Sequence, residues 1–270
     1  MILINYEKKA IFIHLPKCAG SHTRYLLTNF YNFHVFNNTV MLQDLPIIQY
    51  YMKLDKLLDM NAEKWKSFYK FTFIRDPYQR LISSLKYLKT QYKHDYKSLE
   101  ELFNDKENLK QNHMESYIHC FVPQYKHLLN LHNKFNINFI GHVETFEEDF
   151  NKLLKCLFMK NLHSDIIHNI KYAKFFIYNS SNEKFDYTRY DDNNTTLLQT
   201  INTQFEKDFS LSTKYQMFNN VDDLKHHYSN VDIKTPNTFK KLIEENNLTP
   251  EILQLEEHND AFLKTTNTNN

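Results

Sequence analysis

The sequence predicts an α/β fold in which a central parallel sheet is flanked by helices. Apolar runs at residues 10–15 and 69–74 have the length and composition of buried parallel strands. Each run is followed, after a short polar turn, by a segment whose apolar residues recur at helical spacing. Because strands that alternate with helices are typical of parallel sheets, these observations together indicate the α/β class.

The other elements are predicted in chain order from periodicity and from start and stop signals. Residues 249–251 read TPE, which is a helix start signal, and residues 179–194 are polar enough to form a long loop. The predicted strands are residues 10–15, 69–74 and 137–141. The predicted helices are residues 20–31, 44–60, 78–93, broken pieces within 96–132, a helix from Phe146 onward, and residues 195–209, 237–246 and 249–257.

This pattern predicts one main domain with an appendage. Residues 1–216 hold the alternating strands and helices. Residues 217–263 are more polar, and we expect them to form a helical extension packed on the main domain. The last residues, 264–270, are expected to be a disordered tail.

Composition excludes several classes of protein. A formal net charge of +1 gives no overall field that would draw the chain to nucleic acid. The apolar runs are far shorter than the roughly 20 residues of a transmembrane helix, so we expect no membrane insertion. Widely separated cysteines argue against a disulfide framework or a structural zinc site. No signal peptide or anchor is evident, which favours a cytoplasmic protein, or a Golgi-like lumen if an anchor is missing from this chain.

The turn after the first predicted strand has the features of an anion-binding loop. Residues 15–21 read LPKCAGS and lie between the end of a strand and the start of a helix, where backbone amides carry partial positive charge. Lys17 adds a full positive charge, and Gly20 permits close backbone approach or a positive φ. Ser21 and Thr23 offer hydroxyl donors. The nucleotide-triphosphate loop GxxxxGK[ST] is absent, which disfavours a Walker-type ATPase.

The turn after the second predicted strand has a similar design. Asp76 suits the N-cap of the following helix and Pro77 suits its first turn. Arg75 can bind a phosphate through two hydrogen bonds, and Ser83, two helical turns later, can face the same space. Arg80 is predicted to be structural, as the partner of Asp76 one helical turn away. Two such loops indicate a ligand with two separate phosphate groups.

Taken together, these segments resemble the PAPS-dependent sulfotransferases, and most of all the branch of Golgi carbohydrate O-sulfotransferases. PAPS is 3′-phosphoadenosine 5′-phosphosulfate, which carries separated phosphate groups. Residues 16–21 are similar to the family's P-K-[TC]-[AG]-G-[TS] loop, and residues 75–83 are similar to its R-D-P-x-x-R-x-x-S motif. Weaker similarities are found at residues 119–124, 139–150 and 186–209, so that the resemblance covers roughly residues 10–216.

The resemblance implies a P-loop-like three-layer fold, PAPS as co-substrate, and no required metal. Lys17 would neutralise the 5′-phosphosulfate and help the leaving phosphate depart, while Arg75 and Ser83 would hold the 3′-phosphate. The other implied nucleotide contacts are Cys18, Ala19, Gly20, Ser21, His22, Thr23 and Arg189. His22 stands where the family has Ser or Thr, so either one hydroxyl contact is lost or Thr23 replaces it.

The reaction needs a base that accepts the proton of the acceptor hydroxyl. His119, at the head of the block at residues 119–124, is the predicted base. His113, His14 and Glu144 are the alternatives, although Glu144 is expected rather to fix a loop by hydrogen bonds. Gln124 is expected to orient the acceptor or to pack behind the site.

The branch resemblance implies a carbohydrate acceptor. A basic stripe near Ser83 is either a groove for an anionic glycan or a solvated helix face, and the sequence leaves both open. The stripe consists of Lys86, Lys89, Lys93 and Lys97. Two other functions stay open as well: a non-catalytic relative that binds PAP (the desulfated product) or a glycan, and a nucleotide-dependent phosphotransferase.

Overall fold

The fold is built on a mixed five-stranded sheet with helices packed around it. The computed structural model describes residues 2–35, 67–129, 135, 137–159 and 195–230. The strands in these ranges are β1 (Ile2–Asn5), β2 (Ala10–Ile13), β3 (His34–Val35), β4 (Tyr69–Ile74) and β5 (Phe139–His142). Their order across the sheet is β3-β1-β2-β4-β5.

Helices follow the strands and fill the segments between them. They are α1 (Gly20–Phe30), α2 (Pro77–Tyr87), α3 (Leu99–Asn104), α4 (Lys106–Asn112), α5 (Met114–Phe121), α6 (Phe146–Phe158), α7 (Thr195–Phe209) and α8 (Val221–Asn230). A π-helical turn (Leu88–Tyr92) extends α2, and a 3₁₀ turn (Gln124–His127) follows α5.

The predicted parallel sheet is confirmed for β2, β4 and β5, but the complete sheet is mixed. β2 pairs with β4, and β4 with β5, in parallel, but β1 is antiparallel to both β2 and β3. The reason is the short connection at residues 6–9, since so few residues can join only antiparallel neighbours. Lys9 turns there with φ 48, and the Asn5 side chain accepts a hydrogen bond from the Lys8 amide at 2.8 Å. β1 and β3 were not predicted.

Most other predicted elements occur close to their predicted bounds. β4 occupies residues 69–74 as predicted, and the helical stretch after Leu99 is broken at Asp105. α8 lies within the predicted helical extension at residues 217–263, but no helix was predicted at its particular residues. The predictions for residues 44–60, 179–194, 237–246, 249–257 and 264–270 lie outside the described residues.

The core surrounds the sheet on both faces because side chains alternate along each strand. Leu3 and Phe12 face the layer formed by α1 and α6, whereas Ile4 and Ile11 face the opposite layer. A further apolar cluster joins α2, α7 and α8 through Leu81, Ile201, Leu224 and their neighbours. These layers place the carboxyl ends of β2, β4 and β5 at one edge of the sheet.

Candidate functional site

The two cationic loops lie beside each other. β2 and β4 are parallel neighbours, so the turns that leave their carboxyl ends emerge at the same edge of the sheet. In open α/β sheets this edge is where ligands bind. The candidate site is therefore formed by the turn at residues 14–19, the turn at residues 75–76 and the elements that pack against them.

The first loop has an unusual backbone. Lys17 and Ala19 both adopt left-handed conformations, with φ 64 and φ 55, and Cys18 between them does not. Left-handed residues in a short turn are a common part of the concave backbone sites that bind anions. Ala19 is the N-cap of α1 and provides no side-chain hydrogen bond to the first turn. The amides at this helix start thus remain positioned for an anionic ligand.

Gly20 is needed for close packing. A Cβ atom at this position would lie 1.8 Å from two atoms of the His14 ring. Gly20 was predicted to permit either a close approach or a positive φ. The structure shows the close approach, and the approaching group is the His14 side chain. Burial lowers the pKa of His14 to about 3, so this ring is neutral and serves as packing beneath the loop.

The Lys17 ammonium stands above an aromatic ring. Its Nζ lies 4.1 Å from the ring centroid of Tyr87, the last residue of α2. Burial, followed by the nearby charge of Arg75, lowers the pKa of Lys17 to about 8. Within the described parts of the chain no carboxylate pairs with this ammonium. Lys17 is accordingly a half-buried cation that can bind an anion.

Gln124 joins the two loops. Its carboxamide oxygen accepts hydrogen bonds from the Arg75 amide at 2.8 Å and from the Cys18 thiol at 3.0 Å, while its Nε2 donates to the Arg75 carbonyl at 2.8 Å. Asp208 on α7 accepts from the Gln124 amide at 2.8 Å and from the Tyr125 amide at 2.9 Å. Gln124 was predicted either to orient the acceptor or to pack behind the site. Because it is fully buried, it has the second role.

Arg75, the cation of the second loop, has a buried donor atom that is not bonded within the described residues. Its Nε is buried and has no hydrogen-bond partner among the described residues. A buried donor without an acceptor is rare in folded proteins, so Arg75 is a candidate to donate to an anionic ligand. Ser83, half-buried on α2, follows two turns later.

The backbone of the second loop is fixed by two carboxylates. Asp76 caps α2 by accepting from the Gln79 amide at 3.0 Å, as the sequence predicts. Glu144 accepts from the Asp76 amide at 2.8 Å and from the Tyr215 hydroxyl at 3.3 Å, which confirms its predicted role in fixing a loop. Burial, followed by the charge of Glu144, raises the pKa of Asp76 to about 7.

Arg80 has the predicted structural role but other partners than Asp76. Its fully buried guanidinium donates to the carbonyls of Pro16 at 3.2 Å, His119 at 3.2 Å and Val122 at 2.9 Å. It thereby connects α2 to the first loop and to the end of α5. Its charge also stabilises the carboxylate of the buried Asp208.

His119 packs against the aromatic ring that contacts Lys17. Its ring centroid is 4.8 Å from that of Tyr87, and its Nδ1 is 2.9 Å from the carbonyl of Glu115. Because a carbonyl only accepts, Nδ1 carries the proton and Nε2 carries the lone pair. Burial lowers the pKa of His119 to about 4, so the ring is neutral at neutral pH. Of the alternatives, His113 is exposed and contacts His94, with 4.9 Å between ring centroids.

The other residues predicted for the first loop have varied surroundings. Burial raises the pKa of the Cys18 thiol to about 12, so it is no thiolate. Ser21 is exposed at the start of α1. The buried Thr23 hydroxyl already donates to the Ala19 carbonyl at 3.0 Å, and His22 packs edge-on against Phe146 at 5.1 Å. Arg189 lies outside the described residues.

The basic stripe is partly neutralised by one carboxylate. Asp95 pairs with Lys89 at 3.0 Å and also with Lys97. Lys86 and Lys93 are exposed. The stripe is therefore a mixed-charge surface, which weakens the interpretation as a purely cationic groove.

A Ser–His–Asp hydrogen-bond series fixes the corner between β5 and α6. His142 Nε2 is 2.9 Å from the Ser212 hydroxyl, and its Nδ1 is 2.9 Å from Asp149. The Ser212 oxygen also accepts from the Lys214 amide at 3.1 Å. This corner holds Glu144 against the second loop, so the series supports the site from behind.

None of the helices in the described ranges is both long and apolar enough to cross a bilayer. In the same ranges no three His, Cys, Asp or Glu side chains are grouped as metal ligands would be. The model of the Sulfotransferase family matches residues 1–215, a span that includes both loops and His119. No curated protein and no solved structure matches the chain.

Proposed function

Because the chain belongs to the sulfotransferase family, we propose that it moves a sulfuryl group from PAPS to the hydroxyl of a carbohydrate. The observation that carries this proposal is the pair of loops joined by Gln124. Each loop presents a cation, Lys17 or Arg75, without an anionic partner among the described residues. A nucleotide with separated 5′ and 3′ phosphate groups matches this pair of sites.

The first loop is assigned to the 5′-phosphosulfate of the donor. At the start of α1, the amides from Ala19 to Ser21 would donate hydrogen bonds to its oxygens, and Lys17 would neutralise its charge. Arg75 and Ser83 are assigned to the 3′-phosphate, where a guanidinium can make two parallel hydrogen bonds. Cys18 and Thr23 are assigned to the shape of the loop, since their polar groups are already bonded within the protein.

The transfer step assigns distinct roles to His119 and Lys17. His119 Nε2 accepts the proton of the acceptor hydroxyl as its oxygen bonds to sulfur. The bond between sulfur and the bridging oxygen of the donor breaks, and PAP leaves with the electron pair. Lys17 stabilises the charge that grows on that bridging oxygen, and it is already in place, so little reorganisation is needed.

The proposal is tested by calorimetric titration of the whole chain with PAP. We expect binding in the micromolar range for the wild type, and a loss of about tenfold to a hundredfold in Arg75→Ala, because a charged hydrogen-bond donor to phosphate is removed. Lys8→Ala is the matched control, since Lys8 lies in the turn at the opposite edge of the sheet. Absence of wild-type binding at about 1 mM PAP would contradict the proposal.

PAP affinity is also expected to fall with rising pH. The pKa of Lys17, lowered to about 8, means that its charge is present below that pH and is lost above it. A bound anion favours the charged form, so the dissociation constant should rise about tenfold from about pH 7 to about pH 9. The same titration with Lys17→Met should give a nearly flat profile. A wild-type profile as flat as that of the variant would show that Lys17 does not bind the anion.

A further inference from the structure

We infer that Tyr87 is a positioning residue that holds the Lys17 ammonium in place for the donor; this inference rests on the proposed function. Among the described residues, the Lys17 ammonium lies against the face of the Tyr87 ring, 4.1 Å from the ring centroid. A lysine on a flexible stem, without a carboxylate to orient it, would otherwise sample many positions.

The Tyr87 ring is itself held from two sides. Its ring packs at 72° to the ring of Tyr92, with 5.7 Å between the ring centroids. On another side, the His119 ring packs on Tyr87 with 4.8 Å between the ring centroids, and Nδ1 of His119 lies 2.9 Å from the Glu115 carbonyl. The aromatic surface under Lys17 is therefore packed against both the π-helical turn and α5.

The local backbone favours this arrangement. The α-helix ends at Tyr87, and the next five residues form a π-helical turn that brings Tyr92 back against Tyr87. π-helical turns are rare and often occur at functional sites. On the opposite side, the left-handed conformation of Lys17 directs its side chain from the first loop toward the end of α2.

A ring under the ammonium has two consequences for the donor. The attraction between a cation and an aromatic face favours the charged form of Lys17 without neutralising it, as a carboxylate would. The ammonium therefore keeps its charge for the 5′-phosphosulfate. The ring also orders the lysine side chain before the donor binds. The binding step therefore does not include the entropy loss of ordering that side chain.

A double-mutant cycle on PAP binding tests this inference. We expect Tyr87→Leu to weaken PAP binding about tenfold, the size of one partly desolvated cation–π contact, and Tyr87→Phe to stay within about threefold of the wild type. In the Lys17→Met background, Tyr87→Leu should change the affinity by less than about twofold, because the partner is gone. Tyr87→Met, which also lacks an aromatic face, should repeat the result of Tyr87→Leu.

The outcomes separate the two proposals. Equal losses for Tyr87→Leu with and without Lys17, or equal losses for the Phe and Leu variants, would overturn the role of Tyr87. A wild-type protein that does not bind PAP would overturn the proposed function, and this inference with it. Melting temperatures of all variants, taken before the titrations, identify any affinity change caused by loss of folding.

Discussion

Lys17→Met is expected to lower the rate of sulfuryl transfer by about two to three orders of magnitude, as the loss of a pre-placed charge at a developing anion does in other enzymes. The ammonium is the cation of the first loop, and the structure gives it no anionic partner among the described residues. Transfer of radiolabelled sulfur from PAPS to a pool of glycans measures the effect. Lys8→Met removes an equivalent charge from the turn between β1 and β2 and should leave the rate unchanged.

The same substitution should not destabilise the protein. Lys17 is half-buried, and its pKa is lowered by burial and by the nearby charges of Arg75 and Arg80. Replacing it with an uncharged side chain of similar length relieves this repulsion and retains packing on the Tyr87 ring. We therefore expect an unchanged or slightly higher melting temperature. A variant that transfers sulfur at the wild-type rate would remove Lys17 from the mechanism.

Arg80→Met is expected to lower the free energy of unfolding by about 3–5 kcal/mol, because each buried carbonyl left without its donor costs about 1–3 kcal/mol. Three carbonyl groups would lose their hydrogen-bond donor, and the buried Asp208 carboxylate would lose a stabilising charge. Denaturation in urea measures the change. Lys86→Met, on the exposed face of the same helix, should change stability by less than about 0.5 kcal/mol.

Arg80→Lys separates charge from geometry at this position. Lysine keeps the positive charge but cannot reach three separate carbonyls with one ammonium. We expect an intermediate loss of stability for this variant. A lysine variant as stable as the wild type would show that the charge alone matters, and a stable methionine variant would show that Arg80 does not connect the loop to α5.

Both loops could be predicted because their signals are local. Pro16 to Ser21 and Arg75 to Ser83 each place a cation where a strand ends and a helix begins, and such a junction is defined by a few adjacent residues. The alternation of apolar strands and amphipathic helices likewise predicts that the two strands are parallel neighbours. β1 escaped prediction because its three apolar residues are too short a run to identify a strand.

The partners of individual side chains could not be predicted. The sequence offered Asp76 as the partner of Arg80, because reasoning along one helix reaches only a turn away. The actual acceptors lie on the first loop and at the end of α5. Gln124 contacts Cys18 across 106 positions and Arg75 across 49, and no local pattern marks such a contact. Tyr87 and Lys17 are likewise far apart in the sequence, and no local pattern pairs them.

The sequence by itself determined that this chain has two cationic turns at strand ends and belongs with the sulfotransferases. The reason is that charged residues, glycine and capping residues act on the backbone within one turn of their own position. Only the tertiary structure decided that Gln124 joins those turns, that the Tyr87 ring contacts the Lys17 ammonium, and that His119 packs against the same ring. Contacts of this kind depend on how separate helices pack against one sheet, which is a property of the whole core.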